Sequence, residues 1–215
     1  MGRMTFLRLA ALFQGGLLLL AMILGSVAGC PPIPQCEWTL TSIGLGVLAT
    51  FPMLLLLAVS FRSDQKSLVE IRRFLLEALG RPLAECHLVE LAVVALLAGF
   101  SEEFLFRGVL EPCLGFGSPL VGIILSNILF GTCHAVTPVY WLIATVLGCY
   151  LSLTLRLTPN LNLLVPVVCH SFYDFVAFIV VRNHYLKLQA QDQPKDDDLP
   201  VGSDDPSSPD FPISQ

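Results

Sequence analysis

From Leu9 to Gly29 the chain runs without a charged residue, and it does so again from Thr39 to Phe61. In hydrocarbon the backbone N–H and C=O groups find no water, so such stretches must satisfy them internally, as helices. A bilayer crossing takes about 20 mostly apolar residues. Later in the chain, no Asp, Glu, Lys or Arg occurs between Glu111 and Arg156. Only 13% of the 215 residues are charged and 54% are hydrophobic, against roughly 25% charged in soluble domains. That deficit sets the class: an all-α, polytopic helical membrane bundle with about six transmembrane helices.

The net charge of −5 belongs to the tail. From Asp192 onward there are seven Asp and one Lys; without them the chain has 11 Lys+Arg against 10 Asp+Glu. The near-neutral remainder has no basic footprint for nucleic acid. The expected partners are the lipid bilayer and a membrane-associated protein or peptide.

The chain divides into an N-terminal helix and Pro-rich loop (1–38), a second span with a basic segment (39–86), a membrane core (87–189) and a disordered acidic tail (190–215). The first span ends Val27-Ala28-Gly29-Cys30, similar to a bacterial lipoprotein processing box. Its apolar run exceeds the 7–15 residues usual in a cleaved signal, so a transmembrane helix is the better reading. The prolines of 31–36 argue against a helix there. Cys30 and Cys36 share this loop and could form a disulfide if it faces an oxidising compartment. Pro52 is expected to kink the second span.

Between Arg62 and Arg81, basic residues alternate with Leu68, Ile71, Leu75 and Leu79 on one helical face. That pattern predicts an amphipathic helix lying on the membrane surface, stopped by Gly80-Arg81-Pro82. Four further spans are expected at 88–110, 120–134, 139–157 and 163–181, with a turn beginning at Pro112. Lys/Arg placement puts both termini in the cytoplasm. Compact size and the box at Cys30 point to a bacterial cytoplasmic membrane.

Against this background, Ser101-Glu102-Glu103-Phe104-Leu105-Phe106-Arg107 is costly. Ionisable groups at membrane depth mark functional sites by default. Glu103 and Arg107 are i and i+4 and can pair on one helical face. Glu102 is turned about 100° away, free to exchange a proton. His134 closes the fourth span, in Phe130-Gly131-Thr132-Cys133-His134. His170 and Asp174 stand i, i+4 in the sixth. Taken singly, each has a bland explanation: an acidic pair snorkelling to water, or an interhelical hydrogen bond. Three acid–base sets on three spans favour one shared site.

The ordered set resembles the CPBP family, the CAAX prenyl-protease and bacteriocin-processing (Abi) membrane proteins. That family carries E-E-x-x-x-R, F-x-x-x-H and H-x-x-x-N/D on successive helices; here they read Glu102-Glu103…Arg107, Phe130…His134 and His170…Asp174. The resemblance covers about Leu88 to Val181. It implies a glutamic-type intramembrane endopeptidase needing no cofactor or metal. Glu102 would be the general base and His134 would help hold the water. Glu103 with Arg107 would be a supporting pair, and His170 would donate to the oxyanion. Asp174 replaces the Asn of prenyl-protein processing members. It would either orient His170 through a hydrogen bond or stay protonated.

Three other functions compete. A zinc metalloprotease could draw on the same Glu and His, although H-E-x-x-H is absent. The family also covers bacteriocin immunity, so a non-enzymatic immunity or scaffold protein is open. A transporter would use the acids as a proton relay, without a visible repeated half.

Overall fold

The computed structural model describes residues 1–191. Among them there are helices and no strand. The helices are α1 (Arg3–Val27), α2 (Leu40–Arg62), α3 (Lys66–Leu75), α4 (Arg81–Glu85), α5 (Leu88–Leu105), α6 (Glu111–Leu114), α7 (Pro119–Cys133), α8 (Pro138–Thr154) and α9 (Leu164–Gln191). α1, α2 and α9 are each long and apolar enough to cross a membrane. The acidic tail expected from residue 190 lies outside the described residues from Asp192 on; Ala190 and Gln191 close α9.

Polar residues between the apolar runs set where helices begin. Thr39 caps α2 by accepting from the Ser42 N–H at 3.1 Å, and Thr137 does the same for Tyr140 at the start of α8. Asn162, fully buried, caps α9 through the Leu164 N–H at 3.0 Å. It also accepts from the Glu37 N–H and donates to Ser42 Oγ. One side chain thus satisfies the α9 N-terminus and ties it to α2.

Two expectations at prolines are corrected. Gly80-Arg81-Pro82 does not stop the amphipathic helix, and Pro112 does not open a turn. In both places a π-helical turn precedes the proline: Leu76–Gly80 leads into α4, and Phe106–Leu110 joins α5 to α6. Each proline then occupies one of the first two positions of the next helical segment. The wider turn carries the chain past the register in which the ring would meet a carbonyl four residues back. The 31–36 loop, read as non-helical, makes a short 3-10 turn over Ile33–Gln35. α2 runs through Pro52 unbroken.

α5 is central, packed between α1 and α9; α2 lies on α9, and α7 pairs with α8. At one end of the bundle Arg3 grips Glu90 at 2.6 Å, and its backbone N–H reaches Glu85 at 2.9 Å. At the other, Arg156 pairs with Glu111 at 2.6 Å. At 1.5 Å per residue, the 15-residue α7 is only about 22 Å long, short of a bilayer's roughly 30 Å core. α7 and α8 therefore turn back within the bundle. That brings His134, at the end of α7, to the depth of Glu102 in the middle of the α5–α6 rod.

Below this turn, α2, α3, α8 and α9 enclose a cavity of about 160 Å³, lined among others by Ile71, Leu75, Tyr140, Tyr173 and Asp174. α3 supplies its apolar face here, the face expected to lie on a membrane surface. All seven cysteines are free thiols. The Cys30–Cys36 disulfide left open by the sequence is not formed, and Cys30 Sγ lies 3.5 Å from Cys113 Sγ in α6. Cys36 instead packs toward the apolar cluster around Phe104 and Leu163.

Candidate active site

α5 brings Glu102 and Glu103 into the bundle, where both are buried. Their surroundings differ. Glu103 Oε1 accepts from Arg107 Nη1 at 2.9 Å, with both side chains fully buried, and it also contacts His170 Nδ1 at 2.7 Å. Arg107 extends this set outward. Its Nη2 donates to Asn127 Oδ1 at 2.9 Å and to the Gly148 carbonyl at 2.8 Å. A Cβ at residue 148 would stand 2.5 Å from Asn127 Oδ1 and 3.1 Å from Arg107 Nη2, so only glycine admits the guanidinium. Asn127 Nδ2 in turn donates to Ser152 Oγ. Three helices, α5, α7 and α8, meet on one buried cation.

Arg107 sits inside the π turn, whose displaced carbonyls find partners. Phe106 O accepts from Ser126 Oγ at 2.9 Å, and Gly108 O accepts from Gln35 Nε2 at 3.1 Å. The Phe130 ring lies under the guanidinium at 4.6 Å, against His134 at 4.4 Å and within 6.1 Å of His170. Phe130 is thus the apolar wedge spacing the cation from the two imidazoles.

Glu102 faces the other way. Its Oε2 is 3.7 Å from His134 Nε2 and 3.9 Å from His170 Nε2, and has no hydrogen-bond partner among the described residues. His134 Nδ1 is 2.8 Å from the Phe130 carbonyl. A carbonyl only accepts, so a proton sits on Nδ1, and in the neutral tautomer this leaves the lone pair at Nε2. Asp174 Oδ2 stands 3.6 Å from His170 Nε2, at the edge of the cavity described above.

The structure brings Glu102, Glu103, Arg107, Phe130, His134, His170 and Asp174 together. One expected relation is corrected: the carboxylate within hydrogen-bond reach of His170 is Glu103, not Asp174. One turn up α9 from His170, Asp174 reaches only toward Nε2. Glu103 therefore serves Arg107 and His170 at once.

Sequence reasoning missed Gln14. Its Nε2 donates to Glu102 Oε1 at 3.1 Å, and its Oε1 accepts from Ser101 Oγ at 2.5 Å. α1 thereby fixes one oxygen of Glu102 and leaves the other facing the histidines. The available signal was an amide in the midst of an uncharged span, itself a costly placement. Asn127 carried a similar signal. No group of three or more His, Cys, Asp or Glu among the described residues is set to hold a metal ion.

Fold and cluster together define a polytopic helical membrane protein with carboxylates, imidazoles and a guanidinium gathered inside the bundle. Residues 84–176 match the family model described as Type II CAAX prenyl endopeptidase Rce1-like. This match, over less than half of the chain, supports an assignment to the CAAX-protease family of membrane proteases, in line with the resemblance carried by its motifs. The match runs from α4 into α9 and includes Glu102 through Asp174, while α1, α2 and α3 lie outside it. No curated protein and no solved structure matches the chain.

Proposed function

We propose that the chain is an intramembrane endopeptidase that hydrolyses a peptide bond of a membrane-associated protein or peptide, using a water activated by Glu102. The observation that carries this reading is Glu102 Oε2: buried, unpartnered, and within 4 Å of two imidazole nitrogens. A water bound there can donate to the carboxylate and to the His134 Nε2 lone pair. As its oxygen attacks the scissile carbonyl, its proton passes to Glu102.

The carbonyl electron pair moves onto oxygen, where His170 Nε2–H stabilises it. For this, His170 carries both protons, giving Nδ1–H to Glu103 while Asp174 balances the charge from 3.6 Å. Collapse of the intermediate expels the amine, which takes the proton held by Glu102. Arg107 and Phe130 hold Glu103 and the two rings in place. Gln14 is a positioning residue, steering Glu102 through Oε1.

Orientation follows from charge. With Arg3, Arg8, Arg62, Lys66, Arg72, Arg73, Arg81, Arg182 and Lys187 in the cytoplasm, the described residues leave only Arg107, buried in the cluster, and Arg156 on the outer side. Both termini are then cytoplasmic. Because α7 and α8 stop short of the cytoplasmic face, water and substrate reach the site from that side, beneath α3. The cavity is mostly apolar and suits a substrate with a hydrocarbon group, as the family description's prenyl proteins carry.

The test compares polypeptide termini in membranes from cells expressing wild-type or Glu102→Gln protein at equal abundance. The reading expects a set of new termini present with the wild type alone and undiminished by a metal chelator. Identical termini in both would favour an immunity or scaffold role. Loss with chelator and return with zinc would favour a metalloprotease.

A further inference from the structure

Away from the active cluster, the segment between α1 and α2 is closely fitted to the π turn that carries Arg107. A Cβ at Gly25 would stand 2.9 Å from the Cys30 carbonyl and from Pro32 Cδ, and 3.1 Å from Val109 Cγ2. A Cβ at Gly108 would stand 2.9 Å from Pro32 Cβ. Gln35 Nε2 joins the carbonyls of Cys30, Pro31 and Gly108. At the edge of this tight contact, two thiols remote in sequence meet: Cys30 Sγ and Cys113 Sγ, 3.5 Å apart. Neither belongs to the catalytic apparatus.

We propose that Cys30 and Cys113 are a disulfide-forming pair on the outer face of the membrane, locking the α1–α2 segment onto the far end of the α5–α6 rod. The proposal rests on the orientation argued above, which places both thiols where disulfides form and persist. Forming the bond needs the two sulfurs to approach by roughly 1.5 Å, to the usual 2.05 Å. The backbones are already held together by the contacts around Pro32.

The co-reactant is a disulfide-bearing oxidant, either a small-molecule disulfide or an oxidoreductase of the outer compartment. Cys113 is exposed and Cys30 is half-buried, so Cys113 is the first attacker. Its thiolate displaces one oxidant sulfur and forms a mixed disulfide. The Cys30 sulfur then attacks the Cys113 sulfur and expels the second oxidant thiol. The pair loses two electrons and two protons, and the oxidant takes up both. The bond would hold in place the π turn from which Arg107 reaches Glu103.

The experiment uses the full chain in intact cells. Thiols are trapped with N-ethylmaleimide before lysis, and the protein is digested without reductant for mass spectrometry. We expect a peptide pair joined through Cys30 and Cys113, absent from Cys30→Ser and Cys113→Ser and retained in Cys36→Ser. Recovery of both thiols as maleimide adducts, a Cys30–Cys36 link, or a lipid on Cys30 would overturn the proposal. A membrane-impermeant maleimide, applied to parallel intact cells after an impermeant reductant, separates the reasons. If Cys113 is labelled without permeabilisation, the orientation holds and the pairing itself has failed. If labelling needs permeabilised cells, the orientation has failed and the proposal falls with it.

Discussion

Glu102 and Glu103 are neighbours in sequence, both buried, yet they belong to two differently built regions. Around Glu103 Oε1 there is a closed set of partners: Arg107, Asn127, Gly148, Ser152 and His170 exchange hydrogen bonds of 2.7–2.9 Å, although Glu103 Oε2 and Arg107 Nε have no partner among the described residues. Around Glu102 the nearest nitrogens stand 3.7 and 3.9 Å away, and one carboxylate oxygen has no partner among the described residues. A 100° turn of one helix separates a carboxylate paired with a guanidinium from one whose second oxygen faces two imidazoles. On the first side a buried cation offsets the buried charge, and on the second no cationic Arg or Lys stands against it. On the proposed reading, the comparison separates stability from chemistry, residue by residue.

The largest effect should come from breaking the closed region. Arg107→Met leaves Glu103 buried without its cation, which should cost about 3–5 kcal/mol of stability. Thermal unfolding in detergent, followed by tryptophan fluorescence, should show a strongly lowered midpoint. A midpoint close to wild type would mean that the network does not hold the bundle together.

On the open side, His134→Ala should leave the midpoint almost unchanged. Its turnover of a quenched farnesylated peptide should fall roughly 100-fold, as expected for loss of a positioned acid–base group. Smaller again, Gln14→Leu removes one hydrogen bond to a charged oxygen, worth about 1.5 kcal/mol, or roughly tenfold in kcat. KM should hold. A change in KM alone would reduce Gln14 to a packing residue.

The smallest effect lies at the rim. The Arg3 backbone N–H, and after it Arg81, hold the Glu85 carboxyl below its usual value near 4.5. A group depressed on folding adds stability above its unfolded pKa and loses it as pH falls through the folded one. Wild-type melting temperature should therefore fall somewhat more steeply below about pH 4.5 than that of Glu85→Gln. Parallel curves would show that the contact contributes nothing.

What the sequence disclosed follows the same division. The Glu103–Arg107 pair was legible because i, i+4 spacing on a helix leaves few alternatives. The meeting of three helices was legible because isolated charges are too costly in hydrocarbon. The two π turns were not, because Pro82 and Pro112 read as helix stops unless a widened turn resets the register. Nor was the reach of Glu103 to His170 visible, since it depends on how α9 is rotated against α5 rather than on spacing within either. Gln14 stood in plain view as an amide in an uncharged span, but nothing in one sequence says which helix faces it.

The central claim is that Glu102, and not its neighbour, activates the attacking water. Its most direct test is turnover of the farnesylated peptide by purified Glu102→Gln, with the thermal midpoint recorded on the same sample. The account predicts a wild-type midpoint and a turnover lowered by about 100- to 10,000-fold. A folded Glu102→Gln protein that still cleaves at the wild-type rate would contradict it.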